Sequence, residues 1–258
     1  MIILPSGALL PNNPRIGYRD IVAASTLTAT GSAVDFPVSH LANPATYLTW
    51  KGDDAAGQTI SITPAAAAAV DYLGIARHNL AGTLYTLQSS PDNSTWTTIA
   101  TGTPTDNSPI IHVFDEAEQP YYRLVLGAGP VTPQIAVLYL GQVLTLERRL
   151  HVGHTPLPFA RVRQLSSGVS ESGQFLGRVL RSEMLETGVA MQNLTPEHYR
   201  DDIDPFFVAA STRPFFWASR PEKWPADVAF AWLKGDPSMV SQRNNGMVEI
   251  GFQMQGIR

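Results

Sequence analysis

The chain has no cysteine. That excludes disulfides, thiolate metal sites and cysteine nucleophiles, and it leaves the compartment open. Charge is also scarce, with 16% of residues Asp, Glu, Lys or Arg against 44% hydrophobic, so part of the surface is expected to be covered by partners. No apolar run approaches the roughly 18–20 residues that cross a bilayer as a helix, and no membrane insertion is expected. The first residues, Met1-Ile-Ile-Leu-Pro5, lack a basic segment, and Pro5 and Pro11 interrupt the apolar run. A secretory signal is therefore not read here, and a soluble protein made in a cytoplasm is expected. Positive charge is not in excess either: the net charge is −4, which disfavours non-specific nucleic-acid binding.

What the chain does have is turn residues, with twenty Gly and twenty Pro in 258 positions. Such punctuation points to many short strands and mostly β structure. The clearest stretch is Tyr85-Thr-Leu-Gln-Ser-Ser-Pro-Asp-Asn-Ser-Thr-Trp-Thr-Thr-Ile99. Tyr85, Leu87 and Ser89 share one face of an extended chain, Ser90–Ser94 carries turn chemistry, and Trp96 opens a second strand. Further strands are read at Gln58–Ile62, Tyr72–Ala76, Ile110–Phe114, Tyr121–Leu126 and Ile135–Leu140, a series that suggests a β-sandwich. Ala65–Ala69 has helical composition, but Pro64 and Val70-Asp-Tyr72 limit it to a turn or two at most.

The second part differs in texture. Residues 1–148 hold 6 Lys/Arg and 11 Asp/Glu, a balance of −5, whereas residues 149–258 hold 12 and 11, a balance of +1. A boundary is placed near Glu147–Leu150, followed by a linker at His151–Pro158. Arg178–Glu186 suits an alternating strand or a short helix, and the Gly168–Gly177 stretch before it favours strand. Thr195 as N-cap, Pro196 at the first position and Glu197 in the first turn start a helix, with Tyr199 and Ile203 on one face. Phe206–Ala210 is either a continuation past Pro205 or a second helix. Pro214–Ala218, Val228–Leu233 and the alternating Met247–Met254 are strands, and Asn244-Asn-Gly246 is a turn.

Together these segments resemble known families. Ala42–Trp50, Val70–Arg77, the Tyr85–Ile99 hairpin, Tyr121–Leu126 and Ile135–Gly141 follow, in order, the pattern of discoidin-like (F5/8 type C, galactose-binding-like) domains over roughly residues 20–142. Ala136 stands where that family usually has an acid, and its bracketing cysteines are missing. The strand–helix–strand order of residues 149–258, with Arg213-Pro-Phe-Phe-Trp-Ala-Ser-Arg-Pro221 and a final alternating strand, resembles the ring-forming domain of phage tail-tube and distal tail proteins. The combination is similar to minor tail proteins of long non-contractile-tailed phages.

The resemblance implies a mainly β fold: a discoidin-like β-sandwich over 1–148, then a tail-ring oligomerisation domain over 149–258, a β-sandwich flanked by a helix. It further implies a structural subunit of the virion tail tip, assembled in the host cytoplasm. Its partners would be itself in a hexameric ring, the tail-tube protein and the tail-tip hub protein. The alternative is an adhesin that contacts host-surface glycan through the discoidin-like domain.

Chemistry-bearing residues do not assemble into a catalytic, cofactor or metal set in the sequence. His151-Val-Gly-His154 lacks a third ligand for zinc, Asp201-Asp-x-Asp204 reads as helix surface, and Ser170 and Ser172 lack a nucleophile elbow. The polar cluster Arg77-His78-Asn79 ends an apolar strand, and loops at one end of discoidin-like sandwiches carry ligand contacts. Arg77, His78 and Asn79 are thus the candidate contacts for glycan or a partner, set against a role in bracing loops or meeting a neighbouring subunit. Trp50 and Trp96 would offer stacking faces to a sugar, but core positions are the expectation for both.

Overall fold

The computed structural model describes residues 1–151, 153–241 and 246–257. In chain order the first strands are β1 (Ile2–Ile3), β2 (Arg15–Gly17), β3 (Thr26–Ala29), β4 (Trp50–Lys51), β5 (Gln58–Thr63) and β6 (Ala68–His78). Then come β7 (Tyr85–Ser90), β8 (Thr97–Gly102), β9 (Ile110–Gln119), β10 (Tyr121–Leu126), β11 (Gln134–Gly141) and β12 (Leu144–Thr145). The remainder are β13 (Arg161–Val169), β14 (Phe175–Leu194), β15 (Phe215–Ala218), β16 (Val228–Leu233), β17 (Ser238–Ser241) and β18 (Val248–Ile257).

The strands form three sheets: β1-β9-β6-β11-β4, β3-β5-β10-β7-β8, and an eight-stranded sheet β12-β2-β15-β16-β18-β14-β13 with β17 also on β18. The first two face each other across a core that includes Trp50, Ile60, Ile62, Leu73, Ile75, Leu87, Leu124 and Leu138. This is a β-sandwich, and the chain is mainly β as the sequence indicates. β5 and β10 alternate buried and partly exposed along their length, the mark of strands that pack on one face only. β11 is buried at every position after its first, because its sheet is covered on both faces.

The second cover is the eight-stranded sheet. Tyr72, Ala76, Ile111, Val137 and Tyr139 from the sandwich pack against Phe216, Ala218, Val228 and Phe230. Ala136 lies in this layer, which accounts for an apolar residue where the discoidin pattern has an acid. Gly74 and Gly17 let the layers meet: a Cβ on Gly74 would stand 2.6 Å from the Phe216 ring, and one on Gly17 2.5 Å from the Tyr72 ring. Buried Asp20 pairs with Arg213 across the same seam at 3.0 Å. Desolvation raises the Asp20 pKa, while the Val22 amide and Arg213 oppose that shift.

The other face of the large sheet carries the helix. Thr195 caps it by accepting from the His198 amide, and Pro196 takes the first position of α1 (Pro196–His198). A π-turn (Tyr199–Ile203) leads into α2 (Asp204–Ala210). Pro205 therefore does not stop the helix: the widened turn before it absorbs the missing donor. Ile203, Phe206, Phe207 and Ala210 face Phe215, Trp217, Val189, Met191, Ile250 and Phe252.

Several local expectations meet the structure differently. Ala65 and Ala66 form a bend and Ala68 and Ala69 begin β6, with no helical turn. Arg178–Glu186 is strand, the favoured reading, although β14 runs well beyond it. Asn244 and Asn245 lie outside the described residues. Membership of the large sheet does not follow the 148/149 line, because β2 and β12 both join it. The N-terminal segment enters both parts: Ile2–Ile3 pair with β9, and Arg15–Gly17 pair with β15.

One part of β14 is unlike the rest. From Leu185 onward the strand pairs with β18 and buries alternate residues. Residues 175–184 pair with β13 alone, and none of them is buried. At about 3.3 Å per residue this two-stranded arm extends roughly 33 Å.

Candidate functional site

Arg77, His78 and Asn79 end β6 at one end of the sandwich. Arg77 adopts a left-handed conformation, φ 51°, which turns the chain out of the sheet while its side chain stays exposed. His78 is buried and bridges two loops. Its Nε2 is 2.9 Å from the Ser108 carbonyl, and its Nδ1 accepts from the Leu80 amide at 3.2 Å. Those partners fix a neutral ring with the proton on Nε2, and burial lowers its pKa in accord. Asn79 acts as a backbone mimic. Its amide donates to Thr132 O at 2.9 Å and its oxygen accepts from the Gln134 amide at 2.7 Å.

The three residues line one polar pocket of about 380 Å³ together with Thr46, Thr49, Asn107, Gln134 and Ala136. His78 and Asn79 spend their polar atoms on the loops, so Arg77, Thr46 and Gln134 are among the groups left to meet a ligand. Sequence reading missed Thr46, Asn107 and Gln134, which are distant in the chain and lie in loops or at a strand start. Asn107 is recognisable only afterwards: its side-chain oxygen accepts from the Ala81 amide at 3.0 Å.

Neither tryptophan considered as a sugar platform reaches this pocket. Trp50 is fully buried, with its indole N–H donating to Ser32 Oγ at 3.1 Å. Trp96 is not a core residue, contrary to expectation. It is half-buried on the outer surface, with the Arg123 guanidinium 4.0 Å from its ring centroid. The turn before it is as read: Asp92 Oδ1 accepts from the Ser94 and Thr95 amides, which lowers the Asp92 pKa. That turn delivers Trp96 to the edge hairpin, outside the space between the sheets.

His151 and His154 run along the free edge of β14. The His151 amide donates to Ala190 O, and the His154 Nδ1 lies 3.1 Å from Gly188 O. Among the described residues no three His, Asp or Glu side chains stand close enough to hold a metal ion.

No protein-family model matches the chain, and no curated protein matches it. Among solved structures, it is similar to chitosan-binding module 1 of a chitosanase/glucanase from Paenibacillus sp. IK-5, with 21% identity over 47% of this chain and 98% of that one, TM-score 0.43. It is similar also to the family 32 carbohydrate-binding module of Clostridium perfringens NanJ, determined in complex with galactose, with 21% identity over 50% of this chain and 99% of that one, TM-score 0.43. A third is CpGH89CBM32-5 from Clostridium perfringens, in complex with GalNAc-β-1,3-galactose, with 16% identity over 48% and 99%, TM-score 0.43.

Proposed function

We propose that the protein is a self-assembling structural subunit whose β13–β14 arm seats on a neighbouring copy. The observation that carries this reading is the arm itself. Leu165, Val169, Phe175, Leu176, Val179 and Leu180 are each between 44% and 68% exposed. The register sets Leu165 opposite Leu180 and Val169 opposite Phe175, so the apolar side chains form cross-strand clusters. A two-stranded ribbon in water is marginal by itself, and an exposed apolar ribbon with open edges is an association site.

The occupant is a second copy on charge grounds. The arm carries Arg161, Arg163, Arg178 and Arg181 against Glu171 and Glu183, while residues 1–148 have a balance of −5. A basic arm on an acidic neighbour is a heterologous contact, and such contacts close into rings when the rotation allows. In agreement with the sequence resemblance, the assembly is a hexameric ring at a phage tail tip, joined to tail-tube and hub proteins. The sandwich faces outward.

The test replaces residues 164–182 by a short Gly/Asn turn and measures mass by light scattering. The full chain is expected to assemble and the shortened one to be monomeric with its fold intact. A monomeric full chain, or an unchanged oligomer after excision, overturns the reading.

A second reading, recognition of host-surface glycan at the Arg77 end of the sandwich, is favoured by the polar pocket there. Its ligand groups would be Arg77, Thr46 and Gln134, with His78 and Asn79 holding the loops.

A further inference from the structure

A different cleft lies on the seam between the sandwich and the large sheet. Along β16, Ala229 and Ala231 face the helix side, while Val228 and Phe230 face the sandwich. Trp232 continues the second set by alternation, but there the sandwich ends. Its indole is left 38% exposed in a cleft of about 500 Å³ that also takes in Asn43, Thr46, Ser211, Thr212 and Arg213. That volume lies within the range of small-molecule sites, roughly 300–1,000 Å³.

We propose that this cleft binds a pyranose unit of a neutral saccharide, with Trp232 as its stacking platform. An indole face meets the C–H face of a sugar ring, and the remaining lining supplies hydrogen bonds of both senses. Asn43 Oδ1 accepts from the Ala45 amide, which leaves the Asn43 NH₂ as a donor to a ligand. Ser211 Oγ donates to Val208 O at 2.7 Å, so its lone pairs accept. Arg213 is held by Asp20 at 3.0 Å, with 36% of its side chain exposed. Because Asp20 offsets its charge, the cleft is near neutral, and an uncharged polyol suits it better than a phosphate or carboxylate. Thr46 borders both this cleft and the Arg77 pocket, but Trp232, Ser211 and Arg213 line this cleft alone, and the proposal does not depend on the assembly reading.

The test is titration of the full chain with a panel of methyl pyranosides of gluco, galacto and N-acetylgluco configuration. Concentrations run to ~50 mM, because one stacked ring with few hydrogen bonds falls near the millimolar end of the affinity scale. Saturation-transfer NMR and tryptophan fluorescence are the readouts. At least one glycoside is expected to saturate, with affinity reduced tenfold or more in Trp232→Ala and less in Trp232→Phe. Equal melting temperatures for the variants exclude unfolding as the cause. No saturation by any glycoside overturns the proposal. So does undiminished binding by Trp232→Ala, or loss only in Arg77→Ala, which places the ligand at the sandwich end.

Discussion

Removing the Phe216 ring should loosen the seam between the sandwich and the large sheet. Phe216 is fully buried. Its ring meets Tyr139 edge-on at 5.4 Å and Phe230 tilted at 5.0 Å. Phe216→Ala should cost about 3–5 kcal/mol, as for other core phenylalanines. In a chain of this size that corresponds to a fall in Tm of roughly 6–20 °C. The reciprocal perturbation is Gly74→Ala, whose new Cβ would stand 2.6 Å from the same ring. Phe216 has no room to yield, because Tyr139 and Phe230 hold it from other sides, so overpacking should cost about 1–3 kcal/mol. Combining Gly74→Ala with Phe216→Leu should recover part of that loss, with a coupling of about 1 kcal/mol or more. Urea unfolding followed by far- and near-ultraviolet circular dichroism measures all four corners of the cycle. Strictly additive losses, or a Phe216→Ala chain that melts with wild type, would refute the close contact of these layers.

Acid should destabilise the sandwich through His112. This residue is buried against the Tyr85 hydroxyl at 2.9 Å, and desolvation lowers its pKa to about 4. The folded value lies below the ordinary one, so the contribution is complete above about pH 6.5 and is lost as pH falls toward 4, about 3 kcal/mol in all. Asp71, raised to about 6 by burial, acts in the opposite sense, favouring the fold as pH falls from 6 toward 4. Over this window the two nearly cancel, so His112→Asn should leave a urea midpoint that rises as pH falls from 6.5 to 4.5, and a pH response unchanged from wild type would contradict the assignment. Trp96→Ala should cost only about 1 kcal/mol, the scale of an exposed cation–π pair; a loss above 3 kcal/mol in the same urea assay would return Trp96 to the core.

How much was legible depends on what each strand touches. Strands with one covered face were plain from alternation: Gln58–Ile62 and Tyr121–Leu126 are β5 and β10 nearly residue for residue. The helix start was legible because Thr195, Pro196 and Glu197 act through local backbone chemistry. β2 was not, since Arg15–Gly17 has no periodicity, and only its pairing with β15 and β12 makes it a strand. Trp96 was misplaced because a tryptophan after a turn carries no mark of which side of the hairpin it will occupy. The candidate site was half legible. Arg77, His78 and Asn79 do converge on one pocket, but Thr46, Asn107 and Gln134 join them from segments whose proximity is a property of the loops. The cleft at Trp232 was invisible, because it exists only where one layer stops short of another.

The continuous apolar runs carry the wider lesson. Tyr72-Leu73-Gly74-Ile75-Ala76 has no polar position, and every residue of it is buried. Leu73 and Ile75 point into the sandwich core, while Tyr72 and Ala76 point at the large sheet. A sheet with this face open to water would show alternation here instead. Detached from residues 149–258, it would expose Tyr72, Ile111, Val137 and Tyr139 together, an apolar surface that lone soluble domains avoid. The sandwich is therefore held to the large sheet by its own central strands, by Tyr139 donating to Pro214 O at 3.0 Å and by the Asp20–Arg213 pair. Any partner that seats on the arm of β14 thus also fixes the direction in which the Arg77 pocket faces, because β14 and β6 belong to adjoining layers of one packed stack.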